Sequence, residues 1–214
     1  MSHILVEAAV ESLSAALAAA EGGAQRVEYC TDLASGGTTP PLDVLPKVAV
    51  PVFVLIRPRA GDFVYTDDEH RTMLRQIAQA KAVGAHGIVS GALTDEGDVE
   101  AERTAELIGA TRPLPFTFHR AIDIRVYTRI NPALEILIKL GVERVLTSGG
   151  ANTAPEGAKQ IARYVQQAKG RITILPGGGI DASNVAQLVR ETGVNEIHFS
   201  VKDANKVRAV LAQV

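Results

Sequence analysis

The sequence predicts an α/β fold, a single-domain (β/α)8 barrel over residues 1–214. Three observations predict it. Eight short β-branched runs alternate with Ala- and Leu-rich helical stretches, and such alternation argues for parallel strands joined by right-handed crossovers. Eight units in 214 residues take about 27 residues each, a lean but workable repeat. The Gly triplet Gly177–Gly179 follows the seventh strand, whereas the dinucleotide fingerprint of an open doubly wound sheet follows a first strand and spaces its glycines differently.

The elements read in order as follows. A strand at His3–Glu7 leads to a helix over Ser12–Glu21, and a strand at Arg26–Tyr29 to a short helix over Leu42–Val48. Val52–Arg57 precedes a helix over Asp67–Val83, and Gly87–Ser90 one over Val99–Ala110. Phe116–His119 precedes a helix over Pro132–Leu140, where Asn131 reads as the cap and Pro132 as the first helical residue. Arg144–Thr147 leads to Pro155–Lys169. Ile172–Leu175 leads to Asp181–Glu191, with Asp181 able to accept from the first free amides. Glu196–Ser200 and a helix over Asp203–Ala212 close the series. Gly84, Gly141 and Gly193 each fall just after a helix, where a left-handed residue ends the last turn. No linker or charge block divides the chain.

Composition narrows the function. Lys and Arg total 22 against 24 Asp and Glu, a net charge of −2, so neither nucleic acid nor an acidic membrane surface is an expected partner. Aromatics are 4% with no Trp, too few for a base-stacking platform. Cys30 is the single cysteine, which excludes an intramolecular disulfide and any all-thiolate metal site within one chain. The longest apolar run, Val48–Ile56, contains Pro51 and falls short of the roughly 20 residues of a spanning helix. The start shows no signal-peptide pattern. A soluble, cytoplasmic protein is expected, and a homo-oligomer is plausible.

Barrel chemistry sits at the C-terminal strand ends, and side chains alternate along each strand. Those rules point Thr117 and His119 inward on the fifth strand, with Arg26, Glu28 and Cys30 inward on the second. They put Glu7 at the top of the first strand, Arg57 of the third, Ser90 of the fourth and Thr147 of the sixth. Glu196, His198 and Ser200 share the inner face of the eighth. Inward polar groups cost several kcal/mol unless paired, so Glu7, Glu28, His119 and His198 are candidate catalytic residues. The bland alternative is an internal ion-pair layer of Arg26, Glu28 and Glu196. Arg57-Pro58-Arg59 makes a stiff fork suited to a carboxylate or phosphate, unless its arginines pair with Asp62 and Asp67. Gly177-Gly178-Gly179 opens onto a helix, where amides and the helix dipole favour an anion. Ser148, Gly149 and Ser200 could join that site; otherwise the glycines serve only a tight turn. Gly36-Gly37-Thr38-Thr39 forms a further polar loop. Cys30 is either core filler or a soft Cu(I) ligand, with His119 or His198 the nearest assistants. His3, His70 and His86 read as structural.

Several strings carry a resemblance. They are Arg26-Val27-Glu28-Tyr29-Cys30, Gly36-Gly37-Thr38-Thr39-Pro40, Ile56-Arg57-Pro58-Arg59-Ala60-Gly61-Asp62-Phe63-Val64-Tyr65, Phe116-Thr117-Phe118-His119-Arg120-Ala121-Ile122-Asp123, Leu146-Thr147-Ser148-Gly149 and Pro176-Gly177-Gly178-Gly179-Ile180. In this order, from Glu7 to about Ser200, they resemble the CutC family, described as copper homeostasis proteins. The resemblance implies a TIM barrel, a cytoplasmic location and a role in copper handling, with some members described as Cu(I) binders. Relatives often carry further cysteines, and Val64 stands where some have one.

Two functions follow as expectations. One is a copper-binding protein with Cys30 as soft ligand and His119 or His198 assisting. The other is a barrel enzyme for a small anionic or phosphorylated molecule. There Arg57 and Arg59 hold the anion, the Gly177–Gly179 loop donates amides, and His119 moves protons with Glu7 or Glu28. A divalent metal on Glu7, Glu28 and His119 is a third possibility.

Overall fold

The computed structural model describes residues 4–43, 45–125 and 131–214. Eight parallel strands form one sheet in the order β7-β6-β5-β4-β3-β2-β1-β8. They are β1 Leu5–Val10, β2 Arg26–Tyr29, β3 Val52–Leu55, β4 Gly87–Ser90, β5 Phe116–Phe118, β6 Arg144–Thr147, β7 Thr173–Pro176 and β8 Glu196–Ser200. A single parallel bridge, Gly177 to His198, joins the two ends. A Cβ on Gly177 would lie 3.1 Å from the His198 ring, so the absent side chain lets the last strands meet. The result is the (β/α)8 barrel that the alternation predicts.

Among the described residues seven α-helices wrap the sheet: α1 Leu13–Gly22, α2 Asp67–Ala82, α3 Ala101–Thr111, α4 Pro132–Lys139, α5 Ala158–Ala168, α6 Val185–Thr192 and α7 Ala204–Leu211. None is long and apolar enough to cross a membrane. The expected helix over Leu42–Val48 is not formed by its described residues; Val44 lies outside them. Pro40, Pro41 and Pro46 remove amide donors there and disfavour helical backbone just before them. The β2–β3 crossover instead has one 3-10 turn, Leu33–Ser35, and leaves a hollow of about 640 Å³ lined by Leu45, Pro46, Val48 and Val83.

Caps follow the sequence closely. Thr66 and Glu69 form a reciprocal capping box on α2. Asn131 accepts from Ala133 and Leu134 ahead of Pro132. Asp181 is a correction: it accepts from the Ser183 amide at 2.8 Å in a turn before the helix, and α6 starts after Asn184. Of the histidines expected to be structural, His70 meets Glu106 at 2.7 Å and His86 accepts from the Val52 amide at 3.2 Å. His3, the first residue of the expected strand, lies outside the described residues.

The main core lies between sheet and helices, with Val27, Val54, Ile88, Phe116, Val145 and Ile197 fully buried. The lower barrel interior is charged. Arg26 donates to Glu7 and, at 2.6 Å, to Glu196, which also accepts from Arg144 at 2.8 Å. Both guanidiniums stand over the Phe53 ring, at 5.1 and 5.6 Å. That ring fits because β4 begins with Gly87, where a Cβ would lie 2.5 Å from it. An ion-pair layer therefore exists, but its acids are Glu7 and Glu196 rather than Glu28. Above it Cys30, Phe53, Leu55 and Val89 form a second apolar cluster.

Candidate functional site

At the C-terminal end of the strands a cavity of about 310 Å³ opens, within the size of a small-ligand site. Its lining includes Glu28, Arg57, His119, His198, Gly178, Gly179 and Ser200. Alternation placed Glu28, Arg57, His119, His198 and Ser200 at the barrel mouth and loop position placed Gly178 and Gly179; the fold brings all seven together at the ends of β2, β3, β5, β7 and β8.

Glu7 is a correction of position. β1 runs on through Ala8-Ala9-Val10, so Glu7 sits mid-strand opposite Arg26 and His198. It is fully buried behind the cavity lining. Its carboxylate accepts from Arg26 on one oxygen and from His198 Nδ1 at 2.8 Å on the other. Burial opposes its charge, but His198 and Arg26 outweigh that and hold its pKa near about 2. His198 moves upward: burial opposes its proton, and the bond to Glu7 with the charges of Glu28 and Glu7 prevails.

Glu28 stands apart from that pair. Its Oε2 lies 3.8 Å from His198 Nδ1, is buried, and meets no hydrogen-bond donor. Burial, aided by the Glu7 charge and opposed by His198, pushes its pKa up to about 7. A carboxyl raised in this way toward neutrality, on a residue that lines a cavity, suits a group that takes and returns protons.

His119 differs from its expected role. Burial, with the Arg57 charge beside it, depresses its pKa to about 3. Its Nδ1 accepts from the Ala121 amide at 3.4 Å, so the proton rides on Nε2, which has no partner. Phe63 and Phe118 hold the ring, at 4.8 and 5.8 Å between centroids. It is a neutral hydrogen-bond donor and not a base near neutrality.

The Arg-Pro-Arg loop does not act as a fork. Arg57 is buried and donates to the carbonyls of Ser35, Gly37 and Gly61, while its guanidinium stacks 4.7 Å over Phe63. It lines the cavity as a positive charge whose Nη1 and Nη2 donate to the loop carbonyls, while among the described residues its buried Nε has no partner. Arg59 points away, donating to Glu69, Asp62 and the Val64 carbonyl. Asp67 pairs instead with Arg103.

Ser148 and Gly149 are likewise absent from the lining, and Asp123 explains why. Its carboxylate accepts from the Ser148 and Gly150 amides, from the Thr147 and Ser148 hydroxyls and from Arg120. The Gly149 amide goes to Thr147 Oγ1. An internal carboxylate thus holds the place an outside anion was expected to take. Ser90 spends its hydroxyl on the Ile56 carbonyl.

Two charged lining residues escaped alternation arguments, Arg120 and Lys206. Arg120 follows His119 directly, but the chain leaves the strand there for a 3-10 turn, Arg120–Ile124, so strand parity no longer applies. Lys206 belongs to α7, where no strand rule reaches.

Metal capacity follows from donor chemistry. Among the described residues, Glu7, Glu28 and His198 bring three ligand atoms within 4.8 Å of one another; the expected trio had His119 in place of His198. That set suits a divalent ion rather than Cu(I). Both oxygens of Glu7 are already engaged, and the Arg26 charge opposes a cation there. Cys30 does not fit as a soft ligand. Its thiol is buried against Phe53, Leu55 and Val89, donates to the Val10 carbonyl at 3.7 Å, and is pushed up by burial and by Glu28, away from the thiolate form.

Comparison with known proteins places this geometry in a lineage. The profile of the CutC family matches residues 4–203. A human protein named copper homeostasis protein cutC homolog is 47% identical over 202 residues, covering 92% of this chain and 73% of its own length. A CutC family protein of Xylella fastidiosa is 44% identical over 95% of this chain and 77% of its own. A solved structure named as a CutC copper homeostasis protein, from Streptococcus agalactiae, superposes with a TM-score of 0.86 at 36% identity, covering 92% of this chain and 98% of that one.

Proposed function

The chain belongs to the CutC family, and on that premise we propose that it is an enzyme that moves a proton on a small anionic metabolite. The observation that carries this reading is Glu28, a cavity-lining residue whose carboxyl is buried, poised near neutrality and left with one oxygen that meets no donor. Ionised Glu28 takes a proton from a carbon next to a carbonyl. The Nε2–H of His119 donates to that carbonyl oxygen as negative charge develops on it, and Arg57 adds positive potential. Where the first carbon carries a hydroxyl, return of the proton to the former carbonyl carbon, with the hydroxyl proton passing to the other oxygen, gives an isomer; return to the same carbon gives exchange with solvent. Burial holds Glu28 near neutrality, with the Glu7 charge adding to the rise and His198 opposing it. The reading places the protein in the cytoplasm, where its one thiol stays reduced.

The test is carbon deuteration in D2O, followed by NMR, across a panel of short hydroxy- and keto-acids and sugar phosphates. Exchange by the natural chain and its loss in Glu28→Gln support the reading. Silence across the panel, or equal exchange by Glu28→Gln, overturns it.

A second reading, copper handling, is favoured by the names of the human and streptococcal relatives. Of the two candidate donor sets, Cys30 with His119 does not suit Cu(I), so copper would enter as Cu(II) on Glu7, Glu28 and His198 at the cost of the Glu7–His198 bond. A one-to-one Cu(II) complex lost in His198→Ala would put this reading first.

A further inference from the structure

We infer that the substrate's anionic group is a phosphate monoester, seated at the cavity rim between Arg120, Lys206 and the Gly179–Ile180 amides. This deepens the proton-transfer reading and rests on it for the reaction, though not for binding. These groups and Ser200 line the same cavity as Glu28 and His119.

The argument is a count of unspent donors. Arg120 uses Nε on Asp123 at 2.9 Å and Nη2 on Ser148 at 2.7 Å, which leaves Nη1 without a partner. Nη1 lies 3.3 Å from where a Cβ on Gly178 would sit, so the glycine keeps the guanidinium's way open. Gly178 itself has φ +98°, a left-handed backbone that favours glycine. Lys206 gives one hydrogen to the Ser200 carbonyl at 2.8 Å and keeps two. Among the described residues no acceptor takes the amide hydrogens of Gly179 or Ile180. Asp181, the acid beside Lys206, already accepts from Ser183.

These hydrogens outnumber the roughly four lone-pair positions of a carboxylate. They suit the three terminal oxygens of a phosphoryl group, with its charge of about −2. A second feature of the cavity is independent of this rim. Among the described residues His119 Nε2 and Glu28 Oε2 are buried polar atoms without partners, and both residues, more than nine-tenths buried, line the same hollow. They await a polar ligand whose anionic end the rim holds.

Inorganic phosphate is the probe, titrated into the full chain and followed by amide NMR and calorimetry. Saturable binding at Gly179 and Ile180 is expected, competed by sulfate and far less by acetate. Lys206→Gln should weaken it at least tenfold with the melting temperature unchanged; Arg120→Gln should weaken it as much, with a lower melting temperature because its bonds to Asp123 and Ser148 go too. Glu28→Gln should not weaken it. No saturable binding, equal binding of acetate, or indifference to both rim variants would overturn the inference. Carbon exchange reports separately: phosphate binding without any exchange would sink the proton-transfer reading and leave the phosphoryl site standing.

Discussion

Glu28 Oε2 and His198 Nδ1 lie 3.8 Å apart, yet the imidazole gives its hydrogen to Glu7, 2.8 Å away. Two buried carboxyls flank one imidazole, and the nearer is ionised while the farther is held near neutrality. Environment separates them, as in pairs of catalytic acids elsewhere.

Glu28 makes stability depend on pH in a definite direction. Its pKa rises on folding from 4.5 to about 7, so in that window the folded chain holds a proton that the unfolded chain releases. Stability from this group is complete below the unfolded value and falls as pH rises through the window. Glu28→Gln removes the effect. Urea unfolding should show the variant more stable by up to about 3 kcal/mol near pH 8 and equal to the natural chain near pH 4.

Glu7 acts with the opposite sign. Its pKa falls from 4.5 to about 2, so it contributes stability above the unfolded value that is lost as pH drops toward the folded one. Glu7→Ala would leave buried Arg26 with Glu196 alone and His198 without its acceptor, and should cost about 3 kcal/mol at neutral pH. In the same variant, NMR titration should find the His198 pKa lowered.

His119 should stay neutral. Nitrogen NMR is expected to show the Nε2–H tautomer throughout the neutral range, with no titration until strongly acid conditions. If exchange occurs, His119→Ala should slow it about a hundredfold, the scale of losing one donor to a developing oxyanion, with the pH profile unshifted.

Cys30 should prove inert. Native protein should resist thiol reagents until unfolded, and Cys30→Ser should leave any copper stoichiometry unchanged. A labile thiol, or copper lost on that substitution, would restore the sulfur site that the sequence suggested.

Asp123 should govern the loop after β6. Asp123→Ala leaves the Ser148 and Gly150 amides and the Thr147 hydroxyl without their acceptor. A loss of about 2–3 kcal/mol is expected in unfolding, with faster proteolysis near residues 148–153. Phosphate binding should weaken as well, because Arg120 loses its anchor.

What could be read in advance has a common basis. Alternation in β2, β5 and β8 pointed Glu28, His119 and His198 into one mouth, because pleated backbone fixes side-chain direction two residues at a time. The same rule failed for Arg120, two residues past the end of β5, and misjudged Glu7 because β1 runs further through alanines. Arg59 and Ser148 were misread because a local string does not show its partners: Glu69 and Asp123 lie 10 and 25 residues away.

The sequence alone determined the barrel, its strand sites and the supply of acids, arginines and imidazoles at one end. Tertiary structure decided which of them are spent on one another and which remain free. The physical reason is that hydrogen bonding and desolvation depend on neighbours far along the chain. Identical glutamates at positions 7 and 28 became one fixed anion and one exchangeable acid only when β1, β2 and β8 closed around His198.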